Sequence, residues 1–217
     1  MGTHTRLRGY RAVGASVAAT IAGAVAVGAP AANASYEHLT VSVDKHVLRG
    51  SRDSVHGQMK PAAKDRVVWI QVRKDGWGEW HRVASPKTDS SGRYRTSWHP
   101  HELGHYAVRA VLTGSDAAPR RGGVTVYKTS SASWYGPGLY GNRTACGQTL
   151  SPGTLGVAHK TLPCGTKVSF YYHGHTVTAP VIDRGPYSGG REYDLTAETK
   201  NRLHFGSTGT LWSAPIG

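Results

Sequence analysis

Apolar and polar positions alternate in short runs at residues 39–43, 67–72, 80–83, 94–98, 106–112 and 124–127. A period of two puts every second side chain on one face, so these runs predict strands with one buried face, and Asp75-Gly76 and Ser91-Gly92 supply turns between them. No helical period interrupts the pattern, and about seven short strands in this stretch predict a small β-sandwich. Residues 129–132 are small and polar and read as an extended linker. Beyond it glycine becomes dense, at Gly136, Gly138, Gly141, Gly147, Gly153, Gly156 and Gly165, as in a small folded-over barrel with tight turns. Strands are predicted at 167–172 and 175–183, joined through His173-Gly174, and a last one at 210–213. Thr196 is an N-cap for a short helix to about Leu203, which Gly206 would stop.

The first 34 residues break this pattern. Arg6, Arg8 and Arg11 precede an apolar Ala/Val/Gly run over 12–28, and Ala32-Asn33-Ala34 follows. This is the three-part layout of a secretory signal cleaved before Ser35, and the run is too short and too rich in small residues for a membrane span. The chain is therefore expected to act outside the cytoplasm, secreted or at the cell wall, with no membrane anchor after signal removal. Its formal net charge of +13 draws it toward polyanions. Anionic cell-wall polymers are the expected class. Nucleic acid is not, because the Lys and Arg are scattered and carry no nucleic-acid motif.

Two cysteines, Cys146 and Cys164, in an exported chain predict one disulfide. Closing that loop restricts the unfolded chain by roughly 3 kcal/mol on the chain-entropy model. His99, His101 and His105 are clustered, but a Pro-containing loop gives no fixed ligand geometry and no cysteine joins it, so neither a metal nor another cofactor is expected. Trp77, Trp80 and Trp98 are read as core or edge packing. The most informative segment is Val181-Ile182-Asp183-Arg184-Gly185-Pro186. It sets a carboxyl at the end of an apolar strand, where a Gly-Pro turn can hold it at the lip of a groove, as suits a proton donor.

Five blocks carry a resemblance: Ala132-Ser133-Trp134-Tyr135-Gly136, Thr144-Ala145-Cys146-Gly147-Gln148, Ala158-His159-Lys160-Thr161-Leu162-Pro163-Cys164-Gly165-Thr166, the Asp183 segment, and Tyr193-Asp194-Leu195-Thr196. In order and spacing they resemble the rare lipoprotein A family of septal-ring lytic transglycosylases. That resemblance implies a six-stranded double-psi β-barrel with one short helix. Its implied reaction is cleavage of MurNAc-GlcNAc bonds of peptidoglycan glycan strands without water, leaving 1,6-anhydro ends (a lyase). The earlier patterns Val-x-Ile-x-Val, Gly-x-Trp and Thr-Asp-x-x-Gly-x-Tyr resemble bacterial immunoglobulin-like surface modules. The expected organisation of this mainly β chain is a signal over 1–34, an Ig-like β-sandwich over 35–128, a linker over 129–132 and the barrel over 133–217.

Carried over residue by residue, the resemblance implies that Asp183 is the catalytic aspartate, His159 the active-site histidine and Asp194 a second groove aspartate. One carboxyl can protonate the leaving oxygen and then take the proton of the attacking C6 hydroxyl. Trp134, Tyr135 and Tyr187 are candidate stacking platforms, and Gln148 and Arg184 further substrate contacts. Gln148 stands where many members have glutamate, and an amide has no acidic proton. A non-catalytic, expansin-like protein that grips or loosens the wall is therefore the alternative. Each site residue also has a structural reading: His159 satisfied within a turn, Asp194 capping the helix, the aromatic rings packing the barrel.

Overall fold

The computed structural model describes residues 38–114 and 120–216; the expected signal over 1–34 lies outside the described residues. The first strands are β1 (His38–Leu39), β2 (His46–Leu48), β3 (Asp53–Lys60), β4 (Val68–Lys74), β5 (His81–Ala84), β6 (Arg93–Trp98), β7 (Gly104–Leu112) and β8 (Arg120–Tyr135). β3 pairs antiparallel with β1 and β6 in one sheet. In the other, β4 pairs with β5 and β7, β7 pairs with β8, and β2 runs parallel to β8. The two sheets close on one core, with Leu39, Val55, Met59 and Tyr94 from the first and Val47, Ile70, Val108 and Val126 from the second. β7 shows the alternation in its simplest form, every second residue buried from Gly104 to Leu112. Trp98 packs edge-on to Tyr106, as does Trp77, while Trp80 lies under the guanidinium groups of Arg73 and Arg109.

β3 is absent from the sequence reading for a physical reason. Only Val55 and Met59 of its inward positions are apolar; Asp53 also points inward and is buried, and Gly57 has no side chain, so the alternation is lost.

β8 runs on through residues 129–132. That stretch is extended, as its composition suggests, but it is hydrogen-bonded strand rather than a free tether: Thr129, Ser130, Ser131 and Ala132 pair with Trp212, Leu211, Thr210 and Gly209. The second half of β8 thus enters a ring completed by β9 (Val157–His159), β10 (Lys167–Tyr172), β11 (His175–Asp183), β12 (Tyr193–Thr196) and, after the helix α1 (Ala197–Arg202), β13 (Thr208–Ile216). The order β12-β9-β11-β10-β13-β8 closes through pairing of β8 with β12, giving a six-stranded barrel. Val157, Val168, Phe170, Ala179, Val181, Leu195 and Leu211 fill it, with Leu203 from the end of α1. His173 and Gly174, at φ of 44° and 89°, make the tight hairpin turn between β10 and β11, where right-handed strand twist demands positive φ at both central residues.

The Thr196 side chain accepts the Thr199 N–H and caps α1, which is the expected start. The expected stop at Gly206 is corrected: Leu203 closes the helix and His204, at φ +53°, makes the turn.

Candidate active site

The barrel register brings two carboxyl groups into one row. β9 lies between β11, parallel to it, and β12, antiparallel to it; Ala158 stands opposite Asp183 on one side and opposite Asp194 on the other. On the far side of Asp194 stands Ser133 of β8. Neighbouring strands are ~4.8 Å apart, so the two aspartate backbones lie roughly 10 Å apart. Only the buried methyl of Ala158 intervenes.

Asp183 owes its aim to an irregularity. The register of β11 on β9 shifts between Val181 and Asp183, a bulge of the kind that redirects a side chain beside a site. The extra residue, Ile182, is buried against Gly156, where any Cβ would run into the Ile182 side chain. Two loops brace this end of β11. The Cys146 N–H donates to the Ile182 carbonyl at 3.2 Å and the Gly165 N–H to the Val181 carbonyl at 2.8 Å. The expected disulfide joins the loops, with Cys146 and Cys164 Cα atoms 5.7 Å apart. So held, the Ala145 N–H reaches Asp183 Oδ1 at 2.8 Å, and the Arg184 N–H reaches the same oxygen at 2.9 Å. One carboxylate oxygen is fixed by two backbone donors, and the Tyr135 hydroxyl acts on the same carboxyl.

Asp194 is held differently. The Ser133 hydroxyl donates to its Oδ1 in a short bond. It does not cap α1, since that cap is Thr196. The Tyr135 hydroxyl is buried without a hydrogen bond of good geometry, yet it lies within electrostatic reach of both aspartates. Burial first, and the negative charges of Asp183 and Asp194 after it, push its ionisation well above the ordinary phenol range. The site therefore holds a protonated phenol near two carboxyl groups. Tyr135 is thereby a polar member of the site rather than a ring offered to a sugar.

His159 departs from its expected place. It stands opposite Tyr193 and its ring lies 4.9 Å from the Tyr193 ring. Adjacent strand residues point to opposite faces, so it faces away from the row that Ala158 occupies. Its Nδ1 accepts the N–H groups of Thr161 and Leu162 at 3.1 and 2.9 Å, which leaves its N–H on Nε2, 3.9 Å from Glu192. Burial lowers its pKa from the ordinary value, against the opposing pull of Glu192. The charges that act on it are Glu192, Lys128, Arg184 and Lys160, not the two aspartates. The imidazole shapes the 159–164 turn.

The remaining expected residues divide. Trp134 packs against the barrel core with Lys200 Nζ 4.7 Å over its ring, which makes it a packing residue rather than a groove platform. The Arg184 guanidinium donates to the His159 and Leu162 carbonyls at 3.2 and 2.9 Å and lies 3.3 Å from the Cys164 sulfur. It clamps the disulfide loop and does not pair with Asp183. Gln148 is exposed, and its backbone closes the 144–148 turn with Thr144. Tyr187, 79 % exposed beyond Gly185, and the exposed Leu139 and Tyr140 beyond Gly136 are the apolar groups free on the loops that follow Asp183 and Tyr135. Ser133 and Ala158 lie inside the blocks that carry the resemblance, yet nothing in the sequence pattern singles them out. Their signal was register, and single-strand patterning does not carry register.

Residues 127–211 match the family model described as lytic transglycolase. A Synechocystis protein named probable endolytic peptidoglycan transglycosylase RlpA is 44% identical over 84 residues, 38% of this chain and 26% of that protein. The endolytic peptidoglycan transglycosylase RlpA of Campylobacter jejuni is 41% identical over 87 residues, 39% and 30% of the two chains. That of Neisseria meningitidis is 32% identical over 101 residues, 46% and 42%. The chain thus spans well under half the length of these relatives. Over residues 127–211, which hold the paired aspartates and most of the six-stranded ring, this chain is similar to the RlpA-like double-psi β-barrel family.

Proposed function

We propose that the protein is an exported lytic transglycosylase that cleaves MurNAc-GlcNAc bonds of peptidoglycan, with Asp183 and Asp194 dividing the chemistry. The observation that carries this reading is the row Asp183-Ala158-Asp194-Ser133, two carboxyl groups flanking one small side chain. The two differ in their hydrogen-bond partners. Two backbone N–H groups on Asp183 Oδ1 can only donate, so they suit a carboxylate that stays anionic beside the developing oxocarbenium charge. The Ser133 hydroxyl on Asp194 can donate or accept, so it suits a group that gains and loses a proton.

On this reading Asp194 protonates the glycosidic oxygen as the bond to the anomeric carbon breaks. The C6 hydroxyl of the same sugar then attacks that carbon, and its proton passes to Asp194, which closes the anhydro ring and restores the acid. No water enters, so the spacing rule for hydrolytic carboxylate pairs does not govern it. Tyr187 and Tyr140 are the proposed stacking groups on the flanking loops, and His159 and Arg184 are positioning residues for the loop that carries Cys164. Residues 35–128 are proposed as an Ig-like module that holds the barrel on the wall.

Purified peptidoglycan incubated with the protein is expected to release anhydro-muropeptides detectable by mass spectrometry. Asp194→Asn is expected to reduce release at least ~100-fold, the usual scale for a positioned acid–base group. Exposed Gln148 favours one other outcome: co-sedimentation with peptidoglycan and no release, from wild type and Asp194→Asn alike, would make the protein a glycan binder.

A further inference from the structure

The outward face of the β1-β3-β6 sheet belongs to no part of the barrel chemistry, yet it forms a hollow of about 640 Å³. Its lining is a two-rung pattern set by register. Ser42, His56 and Arg95 align across the strands in one rung, and Thr40, Gln58 and Arg93 in the next. Lys87 and Asp89 complete the rim. Gly57 lies between the two rungs, and the Thr40 carbonyl and the Tyr94 hydroxyl, bonded to each other, occupy the place a Cβ there would take.

The frame is locked and its cations are free. The Thr40 hydroxyl and backbone are tied to Gln58, and the Gln58 amide donates to the Ser91 carbonyl at 3.0 Å. Asp89, the one acid in the lining, spends Oδ1 on the N–H groups of Ser91 and Arg93 at 2.8 and 2.9 Å. Lys87, Arg93 and Arg95 are all exposed, and none enters an ion pair among the described residues; the His56 ring beside them is exposed too. Three cations face one carboxylate in this lining; like charges gathered on one face repel one another, and an anion that bridges them relieves that repulsion.

We propose that this face is a binding groove for a linear phosphodiester polymer. Arg93 and Arg95 lie two residues apart on one face, ~7 Å along the strand, which suits a repeating charge rather than a single ion. A guanidinium fork takes two oxygens of one phosphate. The two non-bridging oxygens of a phosphodiester diverge tetrahedrally, so one can meet a guanidinium while the other accepts from a second donor of the same rung, such as the Ser42 hydroxyl. Nucleic acid carries phosphodiesters too, but its single strands bind through exposed rings that stack on bases. The one phenol or indole ring in this lining, Tyr94, is buried.

The test uses the wild-type protein and three probes of equal length: poly(glycerol phosphate), polygalacturonate and single-stranded DNA, titrated at 50 and 200 mM salt. Poly(glycerol phosphate) is expected to bind most tightly. The double variant Arg93→Gln/Arg95→Gln is expected to weaken it at least ~10-fold and to lower the log–log salt slope by about 1 to 2. The control Arg49→Gln/Arg52→Gln, which removes the same charge outside the groove, is expected to change binding less than ~2-fold. Lys87→Glu supplies an independent single change on the rim, and thermal denaturation of all variants verifies folding. Equal losses in groove and control variants, tighter binding of polygalacturonate or DNA, or no binding of the phosphate polymer would each overturn the proposal. Anhydro-muropeptide release reports on the barrel separately, so the failure of either reading is distinguishable from that of the other.

Discussion

Asp183 and Asp194 are chemically the same residue placed in two different surroundings, and the partner hydrogen atoms distinguish them. If the Ser133 hydroxyl orients the acid, Ser133→Ala should lower kcat for anhydro-muropeptide release roughly 10- to 100-fold, the scale of one hydrogen bond to a charged group. KM should change little, and Ser133→Thr, which keeps the hydroxyl, should recover most of the rate. Equal kcat for Ser133→Ala and wild type would remove Ser133 from the site. The sequence made the aspartates visible because each sits in a block of its own. It placed His159 among them on a shared block, whereas the imidazole is satisfied within its own turn by Thr161 and Leu162. Whether a side chain turns to the groove or away from it depends on which residue of the neighbouring strand it opposes, and that pairing spans residues far apart in the chain.

At the scale of elements, strands with clean alternation, such as β7 and most of β11, are legible, and so is β10 from its apolar and aromatic run. Those with an inward polar residue or a glycine, such as β3, are not. The bulge at Ile182 belongs to the illegible class, since nothing in Val181-Ile182-Asp183 distinguishes a bulged strand from a regular one. Its geometry depends on Gly156, whose N–H faces the Thr196 and Thr199 hydroxyls at 3.2 and 3.1 Å while Ile182 covers its Cα. Gly156→Ala should therefore overpack this junction and destabilise the fold by about 1–3 kcal/mol. Ile182→Val in the same chain should return part of the loss, read as the midpoint of chemical denaturation. Additive effects of the two changes would mean that the side chain and the glycine do not share the space.

For the molecule as a whole, Asp53 marks the cost of the first module. Its carboxyl is 1 % exposed, and neither oxygen has a hydrogen bond of good geometry. Burial, and then the Asp44 charge, raise its pKa from 3.8 to about 6, against smaller opposing effects of the Asp44 and Ser54 backbones. The folded chain holds this proton more tightly than the unfolded one, so its contribution to stability falls as pH rises from about 4 to about 6 and is level above. Asp53→Asn should raise Tm by roughly 3–8 °C at pH 7.5, about 2 kcal/mol, with the gain gone at pH 4. Thermal scans of both proteins across that range check it, and a gain independent of pH would exclude ionisation as the cause.

The passage of β8 from one sheet into the barrel has a practical corollary for anyone cutting this chain into parts. A barrel begun at Ser133 would lose the residues that pair with Leu211 and Trp212 and would present an open β13 edge to other copies. A first module ended at Lys128 would leave the Tyr127 phenol without the Ser169 hydroxyl it meets at 3.1 Å. The two halves share a seam in the peptide backbone itself, and a workable fragment boundary for the barrel lies upstream of Tyr127.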